Sequence, residues 1–464
     1  MKKHAQLVPI MMAVTVVLTI LVAGARAAKQ PSNNWSGAAA ISPLLQPDPT
    51  RGSQLHDVAV NANGQAIAAW DQFTYAGSGG ASIGAAVQSG GKWGAPFTIS
   101  STDGFAMSPR VAVGADGTMA VSWTYQNSAG AAKQVQVAVK PAGSTTWTTS
   151  TLAYPSVGGV SMTEFVPVAV DSFGNVTAVW LNWDGTRHLV QTATLPKGQP
   201  WSAVETLNGP EDGLYPSLAV NARGDAAVVY SISPYSAYLT GTSAQYVFRS
   251  GPAGTWSASK TISETIPSSV GYVQYPQVAL DANGLATVIY SGYGIEAVRQ
   301  LAGEKWTVPQ SVLYTSTLSS SYTSFDLALD SAGNAVVAAS IFDATINVDR
   351  ASIWVSRGTP DGKWSPQQRL TDPAVPIDAY AAQAAISPDG TLAMVGWIDH
   401  YHGTVQVSKL ANGVWGPPNT IGRGTAWASF QEVLALDIAS ANVARATWKS
   451  AKSGTQIMAA TYGR

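Results

Sequence analysis

Val168-Ala-Val-Asp171-Ser-Phe-Gly174-Asn-Val-Thr-Ala-Val-Trp180 reads as one hairpin. Small apolar residues fill both arms, Asp171 opens the turn between them, Gly174 closes it, and an aromatic ends the second arm. Asp and Gly are what a tight turn demands, one for its backbone-bonding carboxylate and the other for its freedom at positive φ. The pattern recurs at Val58–Trp70, Val111–Trp123, Leu218–Tyr230 and Val278–Tyr290, and more loosely at Leu327–Ala339, Ala384–Trp397 and Leu434–Trp448. In the last copy Asn442 stands where the spacing predicts glycine, and a longer turn is expected there.

A third strand follows each hairpin, then a turn and a fourth strand marked by Trp. Third strands are expected at Ala81–Gln88, Gln134–Lys140, His188–Thr194, Gln245–Arg249, Ile295–Gln300, Ser352–Arg357, Thr404–Leu410 and Thr455–Tyr462. The fourth-strand tryptophans are Trp93, Trp147, Trp201, Trp256, Trp306, Trp364 and Trp415. The turn glycines from Gly64 to Gly390 recur about every 54 residues, the period of a four-stranded propeller blade. The last hairpin lacks a fourth strand, and Trp35–Ser42 is a fourth strand without a hairpin. Pairing the two predicts an all-β, eight-bladed β-propeller whose ring is closed by the N-terminal strand, leaving no open sheet edge. The tryptophans are expected to pack between blades.

Only 11% of the 464 residues are charged, and 26 basic residues stand against 27 acidic ones. No basic face is available for phosphate, so no nucleic-acid partner is expected. Lys2 and Lys3, the apolar run Leu7–Val22 and Ala25-Arg26-Ala27 form a cleavable leader. Residues 1–27 are thus read as a signal peptide and 28–464 as one propeller domain, secreted or periplasmic and monomeric. The membrane is met only through an uncleaved leader. Cysteine is absent, which excludes disulfides, thiolate metal sites and a cysteine nucleophile.

Strand alternation sorts the loops onto two faces. One carries short stereotyped turns, whose aspartates are expected to bond their own backbone rather than calcium. The other carries long irregular connections, Leu152–Val166, Ser231–Ala244, Thr261–Pro276 and Val312–Phe325, and nearly all the loop tyrosines. Variable loops on a rigid scaffold are where ligands bind, and aromatics with a polar handle suit sugars or protein surfaces. The candidate ligand residues on that face are Glu164, Trp183, Tyr215, Tyr275, Tyr380 and Trp427. At the entrances to the innermost strands stand Asp57, Arg110, Asp326 and Glu432, a charged ring at the mouth of an axial channel that either orients a polar ligand or is solvated lining.

The repeat resembles those of secreted bacterial propellers of the sialidase-like and lectin-like groups. That resemblance implies the propeller fold and a glycan or another surface protein as ligand. The sialidase Asp-box, Ser-x-Asp-x-Gly-x-x-Trp, is matched only loosely by Ser387-Pro-Asp389-Gly390-Thr391. The three-arginine site of sialidases finds only Arg110 at an inner-strand entrance. The blade repeat of eight-bladed quinone-dependent dehydrogenases, Ala-x-Asp-x-x-x-Gly-x-x-x-Trp, is not followed. No catalytic, metal-binding or cofactor motif is present. The expectation is a non-catalytic binding module. The alternatives are a sialidase-like glycoside hydrolase, which needs two carboxyls roughly 5–10 Å apart, and a structural scaffold in an envelope assembly.

Overall fold

At the founding hairpin the Asp171 amide donates to Asn175 O (3.0 Å) and the Gly174 amide to Asp171 O (3.2 Å). The Asp171 carboxylate takes the amides of Phe173 and Asn175, each at 2.9 Å, and Gly174 sits at φ 86°. Asn61, Asn221, Asp281 and Asp330 open their turns in the same way. The turn carboxylates and amides therefore serve their own backbone, because an Asx side chain reaches the amides two and four residues on.

The chain is described by a computed structural model over residues 34–45, 55–74, 80–127, 133–153, 165–233, 242–264, 273–292, 294–314, 322–342, 350–375, 377–424, 434–450 and 456–463. The expected leader lies outside these residues, as do most of the long connections. Trp35–Arg464 makes one compact unit. No helix occurs among the described residues.

The architecture is all-β and built from four-stranded antiparallel sheets, the construction of a propeller. In the founding unit Val168–Val170, Val176–Trp183, His188–Leu195 and Glu205–Thr206 pair in chain order. The same order recurs in the units led by Asp212–Val220 and Tyr322–Leu329, and with one further short strand in those led by Gln274–Leu280 and Ala379–Ile386. A nine-stranded sheet divides at a single parallel bridge, Ala81 to Phe105, into the units led by His56–Val60 and Gly104–Val113. The expected third strands agree with the observed ones within two residues at each end, from Gly80–Ser89 to Ile457–Gly463. The N-terminal Ala39–Ala40 pairs with Ile457–Gly463 through Ala39↔Ala459 and Ala40↔Met458, and Trp35 bridges Tyr462. The last unit is thus completed from the start of the chain.

The last turn departs from expectation. Ser440 pairs Val443, so Ala441-Asn442 is a two-residue turn, shorter than its relatives rather than longer. A register shift between Ile438 and Ser440 absorbs the missing residues. A bulge in the first arm, not a left-handed Asn442, thereby replaces the turn glycine.

Second strands are buried on both faces, as in Val176–Leu181, while the innermost Val168–Val170 is only half-buried. Sheets stack on either side of each second strand, which is why those strands are rich in Ala and Val. The core clusters span neighbouring units: Val137 and Ala120 meet Val176 and Trp180, and Val179 and Val190 meet Val228 and Tyr230. Ile41, Ile457 and Ala459 of the last sheet pack on Val58, Ala68 and Trp70 of the first. The fully buried aromatics are those ending the second strands, Trp70, Trp123, Trp180, Tyr230, Tyr290, Trp397 and Trp448. The fourth-strand tryptophans pack against the same clusters but, Trp415 excepted, stay half-buried. A fourth strand is the outer edge of its sheet, so one side of each ring meets solvent.

Close packing makes glycine obligatory beside these rings. A Cβ on Gly422 would stand 2.1 Å from Cζ2 of Trp448, whose indole Nε1 donates to Arg423 O at 2.9 Å. Ring and backbone are both pinned, so Gly422→Ala is expected to cost about 1–3 kcal/mol by overpacking. A chemical-denaturation midpoint unchanged from the parent would contradict this packing.

Candidate functional site

The innermost strands enter from the loop-rich end through a shared distortion. Their pairing with the second strands slips between Met107 and Arg110, Leu214 and Ser217, Gln274 and Gln277, and Tyr380 and Gln383. At each slip one residue is left-handed: Ser108 (φ 62°), Tyr215 (φ 53°), Tyr275 (φ 50°) and Ala381 (φ 57°). Three of the four precede a proline, Pro109, Pro216 or Pro276. Proline cannot donate to the ladder, and within a strand it belongs at a bulge. Those Ser-Pro and Tyr-Pro pairs were the sequence signal for these bulges. Left-handed non-glycine backbone costs roughly 1–2 kcal/mol per residue, and such strain gathers where a site needs a fixed geometry.

Immediately past the slips, side chains bracket neighbouring inner strands. Asp57 accepts the amides of Val58 (2.9 Å) and Val111 (3.0 Å). Ser217 Oγ accepts Val278 N (3.3 Å), Gln277 Oε1 accepts Leu327 N (2.9 Å), and Asp326 accepts Ala384 N (2.9 Å). Asp437, absent from the expected ring, accepts Val60 N at 2.8 Å and so ties the last hairpin to the first. The entrance residues therefore act first as staples between sheets. Arg110 lies 3.5 Å over the Phe165 ring, and its charge acts on Asp57.

The carboxylates of the innermost strands share one field. Burial pushes Asp326 up to about 7, its bonds to Ala384 and Leu327 pull it back, and the Asp57 charge raises it further. Asp437 is raised to about 6, again by burial first and with a contribution from Asp57. Asp57 is also raised by burial, opposed by Arg110.

Further out, the aromatic candidates fall into two groups. Trp183 stacks on His188 with ring centroids 4.8 Å apart, and His188 Nδ1 lies 2.9 Å from Asp212 Oδ1. Asp212 begins the strand that carries Tyr215. Tyr215 in turn lies 4.5 Å from Tyr275 of the next unit, at an interplanar angle of 46°. The Trp183–His188 and Tyr215–Tyr275 pairs thus come from three consecutive units, with Tyr275 46% exposed. His188 and Asp212 were not singled out together from sequence, since 24 residues separate them.

Tyr380 stands apart from that run. It is buried between Phe342 (6.1 Å) and His400 (6.3 Å), and burial together with its bond to Asp378 raises its hydroxyl pKa. Glu164, Trp427 and Glu432 lie outside the described residues. Among the described residues no group of three or more His, Asp or Glu side chains could hold a metal ion.

No family model and no curated protein matches the chain. Solved structures similar to it include the polysaccharide lyase Uly1, with a TM-score of 0.48 and 10% identity over 76% of this chain and 88% of that one. The Penicillium chrysogenum α-L-arabinanase complexed with arabinobiose gives a TM-score of 0.40 and 11% identity, covering 77% and 93%. The Aleuria aurantia lectin in complex with Fucα1-6GlcNAc gives 0.37 and 13% identity, covering 69% and 98%. All three scores lie below 0.5, and the fold of this chain rests on its own strand pairings.

Proposed function

We propose that this protein is an exported, closed ring of eight blades that binds a glycan at its loop-rich end, without chemistry on it. The observation that carries the reading is the Tyr215–Tyr275 pair, two rings 4.5 Å apart on left-handed backbone. Holding two tyrosines in a costly conformation pre-arranges flat, amphipathic surface, and aromatic faces of that kind cover the C–H faces of sugar rings. Trp183 and the His188–Asp212 pair extend it with a further ring and polar groups. Closure of the ring is supported by Trp35 against Tyr462, by Asp437 on Val60, and by His56 Nε2 at 3.1 Å from Thr447 O.

The described carboxylates favour binding over hydrolysis. Asp57, Asp326 and Asp437 each accept two backbone amides, whereas a glycosidase needs a pair free to face the scissile bond.

The test is a glycan array probed with purified protein. At least one glycan is expected to bind, and the Tyr215→Ala, Tyr275→Ala double variant is expected to lose about tenfold or more in affinity, a loss of roughly 1.4 kcal/mol or more. Binding of every glycan at parental strength by the double variant would remove the tyrosines from the reading. Turnover of a chromogenic glycoside with no retained binding would replace it with the hydrolase.

A further inference from the structure

We propose that the junction between the outer edges of the units led by Asp212 and Gln274 is a docking site for an extended peptide, whose aromatic side chain covers the solvent side of Trp306. The site uses the outermost strands and none of the residues around Tyr215 and Tyr275, so it stands apart from the glycan reading.

The observation is a slot that the protein fills itself at another junction. Phe97 lies four residues after the fourth-strand Trp93, pairs with Ala85, and packs against Trp147 of the next unit with ring centroids 6.3 Å apart. Lys260 holds the same place, four residues after Trp256 and paired with Tyr246. Ala85 and Tyr246 are themselves equivalent, because each follows the residue opposite a second-strand aromatic, Gly84 opposite Trp70 and Gln245 opposite Tyr230. The tryptophan of the next unit is here Trp306. Among the described residues no aromatic ring takes the place of Phe97 on its outer side. The Lys260 side chain crosses the junction instead, and its Nζ donates to Glu304 O at 3.4 Å. Tyr246, 4% exposed, meets Trp306 edge-on from inside at 4.9 Å. The indole is thereby fixed from within while its solvent side stays open.

A cleft of about 520 Å³ lies on that side, lined by Trp306, Val308, Pro309 and Ile262, with Lys260 and Lys305 among its polar walls. Val308 is 76% exposed. The volume is within the range of ligand pockets.

These groups set the occupant. Phe97 shows that a phenyl ring fits the slot beside a fourth-strand indole. The two ammonium groups favour an aromatic face, to which a cation within about 6 Å is attracted. Glu264 and Glu304 line the cleft as well, so it carries no net charge and selects a neutral group. A backbone edge lies beside it, since Lys260–Thr261 is the last strand of its sheet. Ile262 N donates inward to Ala244 O at 3.0 Å, so by the two-residue alternation the amide and carbonyl of Thr261 point out of the sheet. An extended segment pairing there adds a strand by main-chain hydrogen bonds and places one side chain in the cleft.

The experiment uses the whole protein labelled with 15N-tryptophan and titrated with the peptide acetyl-Ser-Thr-Phe-Thr-Ser-amide. The Trp306 indole signal is identified by its absence in Trp306→Phe. The peptide is expected to move that signal upfield through its ring current, and to saturate. The same peptide with alanine at its centre should bind at least about tenfold more weakly, having lost the apolar area of the ring. Lys260→Phe supplies the ring from within and should abolish the shift. Phe97→Ala uncovers Trp147, whose signal the peptide should then move as well. Val308→Ser, at a side chain too exposed to affect folding, should weaken the peptide severalfold. The Tyr215→Ala, Tyr275→Ala double variant should bind it unchanged. A Trp306 signal that the peptide does not move overturns the proposal, and so does equal binding of the alanine peptide or parental binding by Lys260→Phe. Methyl glycosides that move the signal where the peptide does not would make the cleft a sugar site and refute it likewise. A glycan array without binding leaves all these outcomes unaffected, so the two readings fall separately.

Discussion

Asp281→Ala is expected to remove about 3–5 kcal/mol of stability, read as a fall in the denaturant midpoint, because it strands a buried cation. Asp281 Oδ2 lies 2.6 Å from Arg299 Nη2, and both side chains are 2% exposed. Arg299 also donates to Thr287 Oγ1 (2.7 Å) and Leu285 O (3.2 Å), so its guanidinium is held where water does not reach. Asp281 has a second duty, since its Oδ1 takes the turn amides of Asn283 and Leu285. Asp281→Asn separates the two roles. Asn61 and Asn221 show that asparagine opens such a turn, so this variant loses the ion pair alone and should lie between parent and alanine. Adding Arg299→Met to Asp281→Asn should recover part of the loss, a coupling of about 1–3 kcal/mol for groups in contact. Single variants that all fall within about 0.5 kcal/mol of the parent would mean the pair is solvated, contrary to its burial.

Stability is also expected to fall as pH rises from about 4 to about 7, which reverses the usual behaviour of carboxylates. Asp326, held at about 7, and Asp437, held at about 6, bind their protons more tightly folded than unfolded. The folded state therefore carries more protons than the unfolded chain above pH 4, and the slope of unfolding free energy with pH is negative there. Asp326 alone spans about three units from an unfolded value near 3.9, so the effect is on the order of 4 kcal/mol. Below about pH 4 the sign changes. Asp184 and Asp361, each held at about 2, by hydrogen bonds chiefly from Thr186 and from Lys363 respectively, lose that stabilisation as they protonate. The melting temperature should thus peak in mildly acidic buffer, and Asp326→Asn should flatten the limb above it. A parent curve that is level or rising between pH 5 and 8 would show that the axial carboxylates are not desolvated.

The fold was legible because its repeat is local. Each hairpin announces itself through turn residues and through a second strand of small apolar residues, both set within a dozen positions. The fourth-strand role of Trp35–Ser42 followed from a mismatch at the two ends. The last turn misled because Asn442 was judged by spacing to Trp448, and a bulge between Ile438 and Ser440 changes that spacing without leaving a mark in composition. The site was legible only in outline. Residue type and loop position point to Trp183, Tyr215 and Tyr275, and the structure pairs Tyr215 with Tyr275 and Trp183 with His188. Asp57 and Asp326 are expected at a channel mouth, as ligand-orienting groups or as solvated lining; the structure uses both as staples, because an amide of the adjacent sheet lies within reach. Tyr380 has the same type and position as Tyr275 but falls inward, where Phe342 and His400 enclose it.

Taken alone, the amino-acid order determined the all-β repeat, its strands and most of its turns, since these depend on contacts within a few residues and on the two-residue period of a strand. Tertiary structure decided which polar groups meet across sheets. Asp437 reaches Val60, His188 finds Asp212, and Ser217 reaches Val278. Such pairings depend on how neighbouring sheets stack, which is not encoded in the spacing of residues along one strand.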